Sequence, residues 1–176
     1  MANSATRMPQ ASREWDDDLN VTATAGPAGD SENPSQDAGP VVRLASTLEY
    51  DGAARQLTLT RGDGTVQQFP AANNPASTSR GRWPDGEYHY ERHTSHADDA
   101  PSSAYGSNGN YIFTVPGRDK MGVHSGRLDW PDKRGRSGVD HATEGCIRTT
   151  DEGTAAIRDA MTSGDPVTRI TVRNNR

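Results

Sequence analysis

HSGRLDWPDKRGRSGVDHATEGCIRTT, residues 124–150, holds the only cysteine of a 176-residue chain, Cys146, and two of its five histidines, His124 and His141. A lone thiol makes no internal disulfide, so Cys146 is either a small buried hydrophobe or a nucleophile. A thiol becomes nucleophilic when an imidazole, a helix N-terminus or a cation stabilises its thiolate. His124 ends the short strand-like run MGVH (121–124), and the loop that follows can bring it beside the thiol. Gly145 allows a sharp turn, so that its own N–H and that of Cys146 can face a developing oxyanion. Downstream, Thr149 and Glu152 have the spacing of a capping box, and Ala155, Ala156, Ile157, Ala160 and Met161 recur at helical intervals. These predict a helix over 150–162, stopped near Gly164 and Pro166, whose N-terminal field falls close to Cys146.

Working outward, the chain reads as mostly strand. LASTLEY (44–50) and RQLTLT (55–60) are joined through DGAA, and RGDGT (61–65) leads into VQQF (66–69), a hairpin meander. Pro84 and Gly86 punctuate a loop that feeds a strand around 87–92. Residues 97–110 are loop by composition, YIFTV (111–115) and MGVH are strands, and VTRITV (167–172) returns as a strand after the helix. The polar segment 125–142 is a long ordered loop, and loops of that length inside a compact domain are usually functional. The fold class is therefore mainly β, a mixed sheet or sandwich with one or two short helices.

Residues 1–40 carry two basic and seven acidic side chains, leaving 17 of each sign in 41–176. The net charge of −5 thus belongs to the first forty residues, and the balanced remainder argues against a nucleic-acid surface. Rich in Ala, Ser, Asp, Pro and Gly without apolar period, residues 1–40 read as a disordered arm, with Trp15 beside three aspartates as a short docking element or an aromatic without a role. The domain is expected over 41–176. No apolar run approaches a membrane span, and the start lacks the basic and apolar regions of a secretory signal, so the chain is expected to be soluble.

Taken together, residues 44–165 resemble the YkuD-type L,D-transpeptidases. His124 matches that family's first histidine, Thr143 its Ser or Thr, Gly145 and Cys146 its Gly-Cys pair, Ile147 the apolar position and Arg148 the last. Upstream, LEYDGAARQLTLTRGDGTVQQFPAANNP and GRWPDGEY are similar to its opening hairpin and its Pro-x-Gly-x-aromatic segment. Two departures stand out: the gap from His124 to Thr143 is 18 residues, and Glu144 stands where the typical enzyme has a second histidine. A Thr-x-Gly-Cys pattern without that histidine resembles the L,D-transpeptidase-like effectors delivered by type VI secretion.

The resemblance implies attack by Cys146 on the peptide stem of peptidoglycan, with His124 as general base and then acid, and release of D-Ala by hydrolysis, cross-linking or exchange. It implies Gly145 and Cys146 as oxyanion donors, and a backbone carbonyl that orients the imidazole. Asp140 or His141 could orient it instead, or be solvated loop residues. Arg148 would orient the cysteine loop or hold a substrate carboxylate, unless it merely pairs with Asp151 or Glu152. Thr143 is a hydrogen-bonding neighbour of the thiol or a simple turn residue. Trp130 and Tyr111 are candidates for the stem-peptide groove, with core packing the alternative for Tyr111. Synthesis in the cytoplasm, action in the wall of a target cell, an immunity protein and a secretion-system component complete what is implied.

Other readings compete. His89, His93 and His96, with Asp98 and Asp99 nearby, have short metal-like spacings, but their surroundings read as a strand in which residues 89 and 93 share a face and 96 does not. They are read as a strand end and loop, and no metal or cofactor is expected. A non-catalytic wall-binding module that keeps the fold is supported by Glu144 and the acidic arm. A cysteine protease of another fold fits poorly with so much strand ahead of the thiol.

Overall fold

The computed structural model describes residues 44–76, 79 and 81–176. The expected arm and Trp15 lie outside the described residues. Alternation in the first two strands explains their burial: β1 (Ser46–Asp51) turns Leu48 and Tyr50 inward, and β2 (Gln56–Thr60) turns Leu57 and Leu59 inward. They pair antiparallel in the register Leu48 to Leu59 and Tyr50 to Leu57. The Asp51 carboxylate accepts from the N–H groups of Ala53 and Ala54, which closes the turn between them. β3 (Val66–Ala72) continues the meander, reached through a turn in which Gly64 takes φ +87° and donates to Arg61 O at 2.9 Å.

Next come β4 (Gly86–Thr94), β5 (Asn110–Phe113), β6 (Gly122–His124), β7 (Ile147–Thr149) and, after helix α1 (Asp151–Thr162), β8 (Val167–Arg173). The strand order is β1-β2-β3-β7-β6-β5-β4-β8, and a parallel β8–β1 pair closes it into a barrel. β6 and β7 are also parallel. The mainly β, mixed-sheet expectation holds, with the layers of the sandwich joined at both edges.

Two short elements escaped the pattern reading, and one helix boundary differs from it. β7 has only three residues, all buried, and carries no alternation to see. A single 3-10 turn, Gly138–Asp140, interrupts the long loop. The helix cap is shifted by one residue: Thr150 accepts from Gly153 N, while Thr149 donates its hydroxyl to Pro70 O at 2.8 Å. The expected Thr149–Glu152 capping box is thereby corrected, since Thr149 is held in β7 against β3.

The barrel core contains Leu48, Leu59, Phe113, Val123, Ile147 and Ile170, and α1 covers it with Ala156, Ile157 and Ala160. Trp83, fully buried ahead of β4, meets Tyr88 and Phe113 edge-on at centroid distances of 5.4 and 6.1 Å. Among the described residues, no helix is long and apolar enough to cross a membrane.

Candidate active site

Three adjacent strands place the chemistry. Asn110 on β5 pairs with His124 on β6, and His124 with Arg148 on β7, so these three side chains share one face. The opposite face gives Tyr111, Val123 and Ile147 to the core. Cys146 stands two residues before Arg148 and comes to the site face, diagonal to His124. His124 and Cys146 line one cleft of about 270 Å³ together with Tyr105, Arg127, His141, Glu144 and Arg148.

The imidazole is held from behind. His124 Nδ1 lies 2.8 Å from the carbonyl oxygen of Ser125, and a carbonyl only accepts, so Nδ1 carries the proton and Nε2 is left as the base. Arg148 Nη1 donates to the same oxygen at 2.6 Å and to Ala104 O at 3.3 Å. The Ser125 hydroxyl donates to Asp151 Oδ1 and lies 3.2 Å from Thr154 Oγ1, while Ser107 Oγ donates to Asp151 Oδ2 at 2.6 Å. The first turn of α1 thus anchors the residue whose carbonyl orients the base. Tyr105 presents its ring edge-on to the imidazole at 5.1 Å, and His96 stacks on Tyr105 at 4.9 Å.

The loop that carries Cys146 has its own clamp. Asn73 Nδ2 donates to Gly145 O at 2.8 Å and to Cys146 O at 2.9 Å, while Asn73 Oδ1 accepts from Trp83 N at 2.9 Å. Thr143 Oγ1 donates to Cys146 O at 2.8 Å and accepts from Gly145 N at 3.2 Å. Gly145 takes φ +119°, which favours glycine, and a Cβ there would sit tightly, 3.1 Å from Gly81 O and from the Met121 methyl.

Burial governs the charges. It pushes the Cys146 thiol above its ordinary value, against the Gly122 N–H, the Arg148 charge and the Asn110 amide, which favour the thiolate. Burial likewise drives His124 down to about 3, and the Arg148 charge adds to this. Arg148 itself is lowered to about 10 by burial. The resting pair is therefore neutral thiol and neutral imidazole, and the thiol donates to Lys120 O at 3.7 Å.

The group that holds His124 Nδ1 is a backbone oxygen, the Ser125 carbonyl, and neither Asp140 nor His141 takes that place. Asp140 instead pairs with Arg55 at the surface, and His141 turns its Nδ1 to Ala142 O at 2.8 Å while lining the cleft. Arg148 meets backbone oxygens instead of Asp151 or Glu152. Gly145 N–H, expected to face an oxyanion, donates to Thr143 Oγ1. α1 begins beyond β7, and the cation nearest the chemistry is Arg148. Tyr111 is in the core, and Trp130 is 62% exposed outside the cleft with the Arg127 guanidinium 5.5 Å from its ring.

Sequence reasoning missed Asn73, Ser125, Asp151, Tyr105 and Asn110. The AANNP run was the one visible hint of Asn73, being polar directly after a strand. Of the three upstream histidines, His93 stacks on Tyr111 at 4.6 Å and bonds Asn108 O at 2.7 Å, His96 stacks on Tyr105, and His89 is exposed on β4. Among the described residues, no three His, Cys, Asp or Glu side chains gather where a metal ion would sit.

No protein-family model and no curated protein matches the chain. Among solved structures, Bdellovibrio bacteriovorus Bd1075 superposes over 74% of this chain and 48% of its own, with TM-score 0.51 at 15% identity. The likeness is one of fold. An L,D-transpeptidase from Xylanimonas cellulosilytica matches over 76% of this chain and 62% of its own, at 16% identity and TM-score 0.42. Mycobacterium tuberculosis L,D-transpeptidase 1 matches over 73% and 60%, at 18% identity and TM-score 0.41. The chain spans about half to three fifths of the length of these structures.

Proposed function

We propose that the chain is a cysteine-dependent acyl transferase of peptidoglycan stem peptides, acting as an L,D-transpeptidase or L,D-carboxypeptidase. The observation that carries this reading is the placement of Cys146 and a carbonyl-oriented, neutral His124 in one cleft. Cys146 Sγ attacks the carbonyl of the residue before D-Ala while its proton passes to His124 Nε2. The C–N bond breaks, the imidazolium returns the proton to the departing amine, and a thioester remains. Water or an amine then attacks the thioester, again through His124. The Cys146 N–H and, once Thr143 releases it, that of Gly145 stabilise the oxyanion, a contribution of about 3 kcal/mol per donor in other enzymes. Arg127, Arg148 and His141 on the cleft wall suit the carboxylates of a stem peptide.

The Thr143-Glu144-Gly145-Cys146 pattern supports the further reading of an antibacterial effector that trims or exchanges tetrapeptide stems in the wall of a recipient. Its partners would be an immunity protein and a secretion-system component. Expression directed to the periplasm of a sensitive host, with and without Cys146→Ala, tests the effector reading. Unimpaired growth with the native chain removes it and leaves the enzymatic reading intact. For the enzyme itself, purified tetrapeptide muropeptides treated with the chain lose, exchange or join their fourth residue, read by mass spectrometry. The Cys146→Ala variant leaves them unchanged, and release retained by that variant rejects Cys146 as nucleophile.

A non-catalytic wall-binding module is favoured by one specific observation, the raised thiol bonded to Lys120 O. Alkylation separates the two readings. In the enzyme, replacing His124 slows labelling of Cys146 near neutral pH, whereas in the binding module labelling is slow throughout and indifferent to His124.

A further inference from the structure

Asn110 is an unexpected residue where it stands. It opens β5, is 4% exposed, and its carboxamide Oδ1 is buried without a hydrogen-bond partner. A buried polar group left unpaired costs about 1–3 kcal/mol, so an apolar side chain would serve the barrel better here.

The neighbouring strand shows where the carboxamide lies. Asn110 pairs with His124, and Gly122, two residues earlier on β6, is on the same face. A Cβ on Gly122 would fall 1.9 Å from Asn110 Oδ1, 2.6 Å from its Cγ and 2.7 Å from its Nδ2. The carboxamide therefore lies across the Gly122 backbone, in space that any other residue at 122 would fill. Extending the parallel register of Val123 with Ile147 by one residue sets Gly122 beside Cys146. Asn110 and Cys146 thus flank Gly122 from opposite sides, and the gap left by the glycine joins them. The carboxamide and the Gly122 N–H both favour the ionised sulfur.

We infer that Asn110 supports the Cys146 thiolate, with its Nδ2 donating to the sulfur as the thiol proton passes to His124, and that Gly122 is the opening that lets it reach. This rests on Cys146 being the nucleophile of the proposed acyl transfer. It adds a neutral donor from β5, next to Gly122 and not among the residues that line the cleft. No further reactant is needed, since the proton moves only from sulfur to Nε2.

The test reads thiol ionisation rather than turnover. Cys146 is the chain's only cysteine, so the rate of alkylation by iodoacetamide as a function of pH reports it alone. In the full chain, Asn110→Leu, similar in size but without a donor, moves the alkylation midpoint to higher pH and slows labelling at pH 7.5 about tenfold, equivalent to about one pKa unit. Asn110→Ser, which keeps a short donor, shows a smaller shift. Should the leucine variant fail to fold, the native chain still decides. The Asn110 side-chain amide resonances move with the Cys146 titration and stay fixed over the same range in Cys146→Ala. A folded Asn110→Leu with the native pH profile, or amide resonances in the native chain that ignore the titration, overturns the inference. A native chain that shows the Asn110 dependence yet releases no D-Ala from muropeptides instead refutes the proposed reaction, so the two failures are distinguishable.

Discussion

His124 Nδ1 donates to the carbonyl oxygen of Ser125 at 2.8 Å, and this bond leaves Nε2 as the ring nitrogen that can take a proton. It fixes the tautomer, aims Nε2 away from Ser125, and ties the base to α1 through the Ser125–Asp151 contact.

With His124 lowered to about 3 and Cys146 raised, both groups are neutral across the physiological range. kcat/KM for D-Ala release is expected to be flat between about pH 5 and pH 8, because neither group changes charge there in the free enzyme. A steep acid limb with a midpoint near 6.5, the ordinary histidine value, contradicts a buried neutral base.

Stability carries the same signature. The unfolded chain protonates His124 below about pH 6.5 and the folded chain does not until about pH 3. Folding stability contributed by the neutral imidazole is thus complete above the unfolded value and falls as the solution is acidified through that window, by on the order of 1 kcal/mol per pH unit. Urea unfolding at pH 7 and pH 5 should show the native chain losing more than His124→Asn. Equal losses in the two proteins reject the assignment.

Asn73→Ala strips side-chain donors from Gly145 O and Cys146 O and an acceptor from Trp83 N. About 3 kcal/mol of stability is expected to go, with a lower kcat as the nucleophile loop loosens. Thermal melts and steady-state kinetics measure both. A variant with native stability shows the clamp to be dispensable.

Gly106→Ala attacks the histidine anchor without touching the cleft. Gly106 takes φ +73°, and a Cβ there would lie 1.8 Å from Ser125 Oγ and 2.6 Å from Asp151 Oδ1. The substitution should destabilise the fold by about 2 kcal/mol and lower kcat more than it raises KM, since it displaces the base and leaves the substrate wall in place. An unchanged kcat detaches the Ser125–Asp151 contact from catalysis.

Much of this was legible in the sequence because the barrel follows local rules. β1 and β2 alternate, the Asp-Gly turns name their hairpins, and α1 repeats at helical spacing. Thr143, Gly145, Cys146 and His124 could be selected because a resemblance supplied their order. The supports were not legible. Asn73, Ser125 and Asp151 act through backbone oxygens and hydroxyls contributed by distant elements, and no periodicity encodes a carbonyl's direction. Asn110 had no visible role because its meaning lies in the absent side chain of Gly122, two strands from the sulfur it faces. β7 was missed for a related reason: three residues buried on both faces show no pattern, and only pairing with β6 and β3 makes them a strand. At Cys146 burial outweighs the Gly122 N–H, Arg148 and Asn110, which favour the thiolate, and sequence does not report burial depth.

Quenching the native chain in acid during reaction with a tetrapeptide stem, and mapping the protein by mass spectrometry, shows whether Cys146 carries the acyl group. A hydroxylamine-labile adduct is expected on the Cys146 peptide, with the mass of the substrate acyl group after loss of D-Ala, and it should be nearly absent in His124→Ala. D-Ala release that proceeds with Cys146 unmodified at every quench time rules out an acyl group on the sulfur.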